Sequence, residues 1–299
     1  MTLARPLSDT ARLRALDSLP TLPIVAIRLG EVIHSKTASV PQVAEVLRSD
    51  PAISAKLLRL VNSPYFGIPG GVSDVARAVP FVGFNTLYEL VLSISVLETL
   101  GARGGALDLR AMWTHALTVA SAARELAQEL RHADPGACFT AGLLHDMGKI
   151  ALAKLEPDKL AAAYALMRRE GISLAEAERR NDLPPHDRVG SQLARQWKFP
   201  ATLATPIEQH HAIHRIEVRE RMVPHLRAIT EIVAAADHLS ASCHTTLGAP
   251  GPADLCDEDG EPEARTLFER NGLGEAALAG LRDRTCAQLE RSKIFLSLV

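Results

Sequence analysis

The chain of 299 residues is 47% hydrophobic and sets 33 Lys and Arg against 35 Asp and Glu, a formal net charge of −2. That balance excludes the bulk basic excess of a nucleic-acid or anionic-membrane binder, and the apolar share is large enough for a substantial core rather than a disordered chain. Four cysteines without CxxC spacing, in a chain read as lacking a signal peptide, point to reduced thiols in a cytoplasmic protein, and no uninterrupted apolar run approaches the roughly 20 residues of a membrane span.

Alanine and leucine recur at three- and four-residue spacing, aromatics are only 4%, and alternating β-branched runs are missing, so the chain reads as all-α. Residues 1–18 form an N-terminal extension ahead of the extended entry "LPTLP" (Leu19 to Pro23). "SVPQVAEVLRS" begins a helix at Ser39 with Pro41 in its first turn, where a missing N–H costs nothing. "SDPAISAKLLRLVNSPYFG" repeats the device with Asp50 as cap and Pro51 at the first helical position. Its expected buried stripe is Ile53, Leu57, Leu58 and Val61, stopped by Asn62-Ser63-Pro64. "SDVARAVPFVGFNTLYELVLSISVLETL" supplies two more helices, with breaks at Pro80 and Gly83. The glycine-rich "GARGGALD" (Gly101 to Asp108) is the best hinge, and a first helical subdomain is assigned to 19–104.

A second block, 105–246, holds most of the histidines. His115 in "MWTHALTVASAARELA" borders a face traced by Met112, Ala116, Val119 and Ala123. "AGLLHDMGKIAL" places His145 and Asp146 side by side in an apolar segment, where burying either costs free energy unless it has a partner. His186 follows in "PPHDRVGSQLA", His210 and His211 in "IEQHHAIH", and Asp237 in "EIVAAADHLS", four residues after Val233 and so on that helix's inward side. All are imidazole or carboxylate, the ligands of first-row divalent metals, and convergence on one or two ions of iron, manganese or similar is the economical reading. A carboxylate bridging two ions would let them hold an activated water against a phosphate, and Lys149 is placed to neutralise phosphate charge. Gly148 permits close backbone packing at the same place.

His34, His132, His214, His225, His238 and His244 complete no ligand pattern and read as surface or boundary residues, with His214 one turn after His210 and so nearest the site. Trp113 and Trp197 read as core anchors, and Arg215, Arg219, Arg221 and Arg227 as a solvated helix face. Residues 247–299 comprise an acidic loop, "LGAPGPADLCDEDGEPE", and two closing helices.

His115, the run His145-Asp146-Met147-Gly148-Lys149 and Asp237 resemble the H…HD…D signature of the HD superfamily of metal-dependent phosphohydrolases. His186 with Gly190, and the pair His210-His211, resemble the extra histidines of its HD-GYP branch, the cyclic-di-GMP phosphodiesterases. "LPTLP", "LRSDPAISAKLLRLVNSPYFG", "ARAVPFVGFNTLYELVL" and "RQWKFP" resemble, in order, the HDOD family, the HD-related output domains of bacterial signalling proteins.

The HDOD resemblance implies two packed helical subdomains, the second an HD-like bundle. It also implies a regulatory scaffold acting through signalling-protein partners or a nucleotide ligand, with no membrane and no nucleic acid. The HD-GYP resemblance implies instead a phosphohydrolase or phosphodiesterase acting on a nucleotide or cyclic dinucleotide, with Asp146 and Lys149 catalytic. The sequence departs from that branch, because "HHAIHRIEVRERMVP" carries no GYP tripeptide and Ala111 stands one turn before His115, where a third metal's glutamate would be. The expected metal set is His115, His145, Asp146 and Asp237 at a first position, with His186, His210 and His211 completing a second. The regulatory module is the preferred reading and the hydrolase the alternative.

Overall fold

A computed structural model of the chain describes residue 19 and residues 21–100, 109–246, 266, 268–270, 272–292 and 294. The extension 1–18, the hinge 101–108, the acidic loop and the thiols Cys243 and Cys256 lie outside the described residues or their described side chains, as does the side chain of His244. Among the described residues these α-helices run in order: α1 (Ile24–Ile33), α2 (Val40–Arg48), α3 (Pro51–Val61), α4 (Val75–Leu100), α5 (Leu109–Leu130), α6 (Pro135–Leu144), α7 (Met147–Leu155), α8 (Pro157–Glu170), α9 (Leu174–Arg180), α10 (His186–Gln196), α11 (Ala201–Gln209), α12 (Ile216–Arg221), α13 (Pro224–Thr246) and α14 (Glu275–Ser292). No strand occurs among the described residues.

Asp50 caps α3 as expected, its carboxylate accepting from the N–H groups of Ala52 and Ile53 at 3.1 Å each, ahead of Pro51. Asp134 repeats the arrangement on α6, accepting from Ala137 N–H at 2.8 Å before Pro135. Ser39 differs: its hydroxyl donates to Gln42 Oε1 at 2.8 Å and makes no cap bond. The buried stripe of α3 is Ile53, Leu57, Leu60 and Val61, whereas Leu58 is only half-buried. Leu60 lies three residues after Leu57 on the inner face, while Leu58 is turned about 100° from it.

Only one of the two expected breaks in α4 occurs. Pro80 sits inside the helix, and the chain bends at Gly83, whose φ of 77° and ψ of 164° suit a residue without a Cβ. By length and composition alone α4 could cross a membrane, yet most of its apolar stretch is buried inside the fold. The helix packs on α1, α2 and α3 on one side and on α6 and α7 on the other, joining the two halves. Lys154 Nζ donates to the Thr99 carbonyl at 2.7 Å across that joint. The Tyr65 ring stands 4.7 Å from that of Phe139, beneath the Arg124 guanidinium at 4.1 Å. In the second half α5 is buried almost all round, between α6, α13 and α14. Arg284 on α14 reaches back to Glu125 and Glu129 of α5 at 3.1 and 2.8 Å. Of the two closing helices expected, α14 is the one described over its length.

The joint contains one unusual acid. Glu89 of α4 is buried, and that burial, reinforced by the Asp134 carboxylate, pushes its carboxyl up to about 8 against an opposing hydrogen bond with Thr140. The folded protein therefore holds a proton that the unfolded chain releases in the ordinary carboxylate range. Stability from this residue is complete below that range and is lost as pH rises to about 8. The urea midpoint is expected to fall between about pH 5 and about pH 9, and Glu89→Gln to remove a part of that fall worth a few kcal/mol. A variant whose pH profile superimposes on the parent's would contradict this.

Candidate metal centre

The sequence places the seven candidate residues on five stretches of chain, and the fold brings all seven together. His115 lies in the second turn of α5, and His145 follows the last turn of α6. Asp146 occupies the corner before α7 with φ −99° and ψ 14°, outside helical geometry. That corner turns two adjacent side chains into one cavity. His186 opens α10, His210 and His211 follow α11, and Asp237 comes from α13. The donor atoms of His115, His145 and Asp237 lie within 4.8 Å of one another, as do those of Asp146, His186, His210 and His211.

Asp146 faces both groups. Its Oδ2 is 3.3 Å from His145 Nε2 and 3.5 Å from His115 Nε2, and its Oδ1 is 3.6 Å from His186 Nε2 and 3.7 Å from His210 Nε2. Asp237 Oδ1 stands 3.2 Å from His115 Nε2 and 3.9 Å from His145 Nε2. Donor atoms about 2.1 Å from a shared ion stand roughly 3.0 to 3.4 Å apart, close to these spacings.

Hydrogen bonds behind the rings fix what faces inward. His145 Nδ1 donates to the Gly142 carbonyl at 2.7 Å and His210 Nδ1 to the Pro206 carbonyl at 2.9 Å, so each ring turns its Nε2 toward the cavity, as a lone pair when the ring is neutral. Ser240 donates its hydroxyl proton to the Asp237 carbonyl at 2.7 Å, which leaves Oγ to accept from His115 Nδ1 at 3.4 Å. The Nε2 atoms of His145 and His210 and the Oδ1 of Asp146 are buried without a hydrogen bond, while Asp146 Oδ2 is met by the Lys149 ammonium at 2.8 Å. With the rings neutral, the Nε2 atoms of His145 and His210 and the Oδ1 of Asp146 are acceptors turned toward one another, an arrangement that a cation between them would relieve.

Protonating the rings would be the other remedy, but burial, helped by His145, pushes His210 down to about 3. Burial and His210 likewise hold His211 well below its usual range. Burial works against ionising Asp146 and Asp237, yet the neighbouring histidines, with Lys149 at Asp146, keep both carboxyls below the ordinary range. The donor set, five imidazoles and two carboxylates, suits a first-row divalent ion.

Lys149, the other residue with an expected chemical role, is buried with Nζ 2.8 Å from Asp146 Oδ2. Glu178 of α9 escaped the sequence reading: it is fully buried and accepts from both the backbone N–H and Nδ1 of His186, at 3.2 and 2.9 Å. Burial opposes charge on His186, but this carboxylate outweighs it and raises the ring to about 9. His214 is exposed and stays away from the centre, and His34, His132 and His225 are exposed too. Trp113 and Trp197 are buried anchors, and Arg219 pairs with Glu231 at 2.9 Å.

Beside the centre lies a cavity of only about 10 Å³, lined by Met112, His115, Leu143, Asp146, Met147 and Lys149 among others. That is about the space of one water. A cleft of about 400 Å³ opens elsewhere, between α10 and α11, and none of the seven residues lines it.

A model of the HDOD domain matches residues 19–213. The chain belongs to the HDOD domain family. An uncharacterized protein of Treponema pallidum (strain Nichols) is 25% identical to this HDOD chain over 211 residues, 66% of this chain and 38% of that protein. The chain thus spans little more than a third of the curated relative's length. A solved structure from Shewanella amazonensis SB2B, provisionally named a phosphohydrolase, has a TM-score of 0.70 at 24% identity, covering 96% of this chain and 97% of that one. Another, from Marinobacter aquaeolei VT8 and provisionally named a signal transduction protein, has a TM-score of 0.69 at 20% identity, covering 100% of this chain and 62% of that one. Both likenesses show the shared fold. The HDOD match ends before α13, so Asp237 lies beyond it.

Proposed function

We propose that this HDOD protein is a cytoplasmic signal-transduction output module, with subdomains at 19–104 and 105–246, that acts through contacts with partner proteins. Its second half is organised around bound divalent metal. His115, His145, Asp237 and Asp146 would hold a first ion, and Asp146, His186, His210 and His211 would hold a second. The observation that supports the regulatory reading is the burial of six of the seven candidate ligands, His115, His145, Asp146, His186, His210 and Asp237, inside the helical core. Ions in such a place cross-link α5, α10, α13 and the ends of α6 and α11, so the surface offered to a partner depends on their presence.

A second reading, hydrolysis of a nucleotide or cyclic dinucleotide, is favoured by Lys149. Its buried ammonium beside Asp146 would oppose the charge of a phosphate drawn to the centre. Bound ions would supply an activated water there. Elemental analysis of the purified chain, followed by a phosphodiesterase assay with manganese or iron added, separates the readings. The expected result is a metal-loaded protein with turnover no higher than that of His145→Ala. Turnover that disappears in His145→Ala and Asp146→Ala would establish the second reading. A metal-free chain that stays folded would remove the metal from both.

A further inference from the structure

Glu178 is 0% exposed, and burying a carboxylate costs several kcal/mol unless a positive partner compensates. The rest of its helix, "LAEAERR", behaves as a solvated one, with Glu176 paired to Arg180 at 2.7 Å and to Arg179 outside the core. Leu174 and Ala177 already pack α9 inward, so the acid is not needed to fill space. Both of its oxygens are directed to one residue, His186.

The other rings make an instructive comparison. His145 and His210 are backed by peptide carbonyls and His115 by a hydroxyl, all neutral acceptors. His186 alone of these four has a full negative charge behind it. Its Nε2 meanwhile points into the second group, 2.9 Å from His211 Nε2 and 3.6 Å from Asp146 Oδ1. A carboxylate behind a metal-binding imidazole fixes the tautomer, holds the ring's rotation and makes the opposite nitrogen a stronger donor.

We infer that Glu178 is the positioning residue of the second metal position, and that it governs occupancy there while leaving the first position untouched. This inference rests on the metal reading proposed above. A buried acid aimed at one imidazole finds its counter-charge in the cation that the imidazole holds. Among the described contacts the geometry supplies this behind His186 of the second position, so the two positions respond differently to the loss of that one carboxylate.

Zinc(II) titrated into the chelator-stripped full chain is the probe, with bound ions counted by elemental analysis. The parent is expected to take up two ions. Glu178→Gln should weaken one of them by about 10- to 100-fold and leave the other unchanged. In a His186→Ala background the same substitution should have no further effect on zinc, whereas a residue that merely supports the fold would weaken both positions in either background. Imidazole nitrogen NMR of the zinc-loaded parent gives a test that needs no variant: His186 should carry its proton on Nδ1. A parent with two ions whose Glu178→Gln variant binds zinc equally well, or a His186 protonated on Nε2, overturns this inference alone. A parent that takes up no zinc overturns it together with the metal reading.

Discussion

Asp146→Asn is expected to strip the protein of both ions, whereas Asp237→Asn and His211→Ala should each cost one. The two oxygens of Asp146 look in opposite directions, Oδ2 toward His145 and His115 and Oδ1 toward His186 and His210. An asparagine offers one carbonyl oxygen, no charge, and an NH₂ group that cannot bind a metal. Affinity at both positions should fall by about 100-fold or more, read as metal retained after dialysis. The substitution also takes away the carboxylate 2.8 Å from Lys149 Nζ. Breaking a buried ion pair from one side costs about 3 to 5 kcal/mol, so the metal-free variant should unfold at visibly lower urea than the metal-free parent. Full retention of one ion by Asp146→Asn would show that the two positions do not share this residue.

Gly148→Ala should be nearly as damaging, through the backbone. A Cβ on Gly148 would lie 1.9 Å from the His186 carbonyl oxygen and 2.7 Å from Gly190 N, so α7 and α10 would have to separate. Because His186 is the first residue of α10, that movement carries a metal-facing ring with it. Overpacking of this kind costs about 3 kcal/mol, and zinc uptake should fall at the second position more than at the first. Gly190→Ala is the milder comparison, since its Cβ meets the Ile207 side chain at 2.7 Å, a group able to turn away. A Gly148→Ala protein with the parent's urea midpoint and metal content would refute the close approach.

The all-helical fold and the seven clustered residues were legible because each carries its own signal. Proline and aspartate at helix starts announce themselves locally, and histidine or aspartate beside an apolar run requires a partner that the sequence leaves unnamed. Glu178 was not legible, for the opposite reason. In "LAEAERR" it stands among exposed ion-paired neighbours, and nothing local distinguishes the acid that turns inward from the one that stays in water. The choice between Leu58 and Leu60 failed similarly, because two leucines two positions apart satisfy a helical pattern until a neighbour decides which face is covered. Gly148 suggested close packing, but only the fold identifies Gly190 and His186 as what it packs against.

The return of α13 across α5 has a practical consequence for anyone dissecting this protein. Sequence comparison draws its boundary at residue 213, whereas the group of candidate ligands is complete only with Asp237, and α14 also packs on α5. The segment matched by the family and the set of helices that pack around the site are therefore not the same length of chain. A fragment trimmed to the recognisable module would keep six of the seven inward-facing groups and lose the wall that holds them in place.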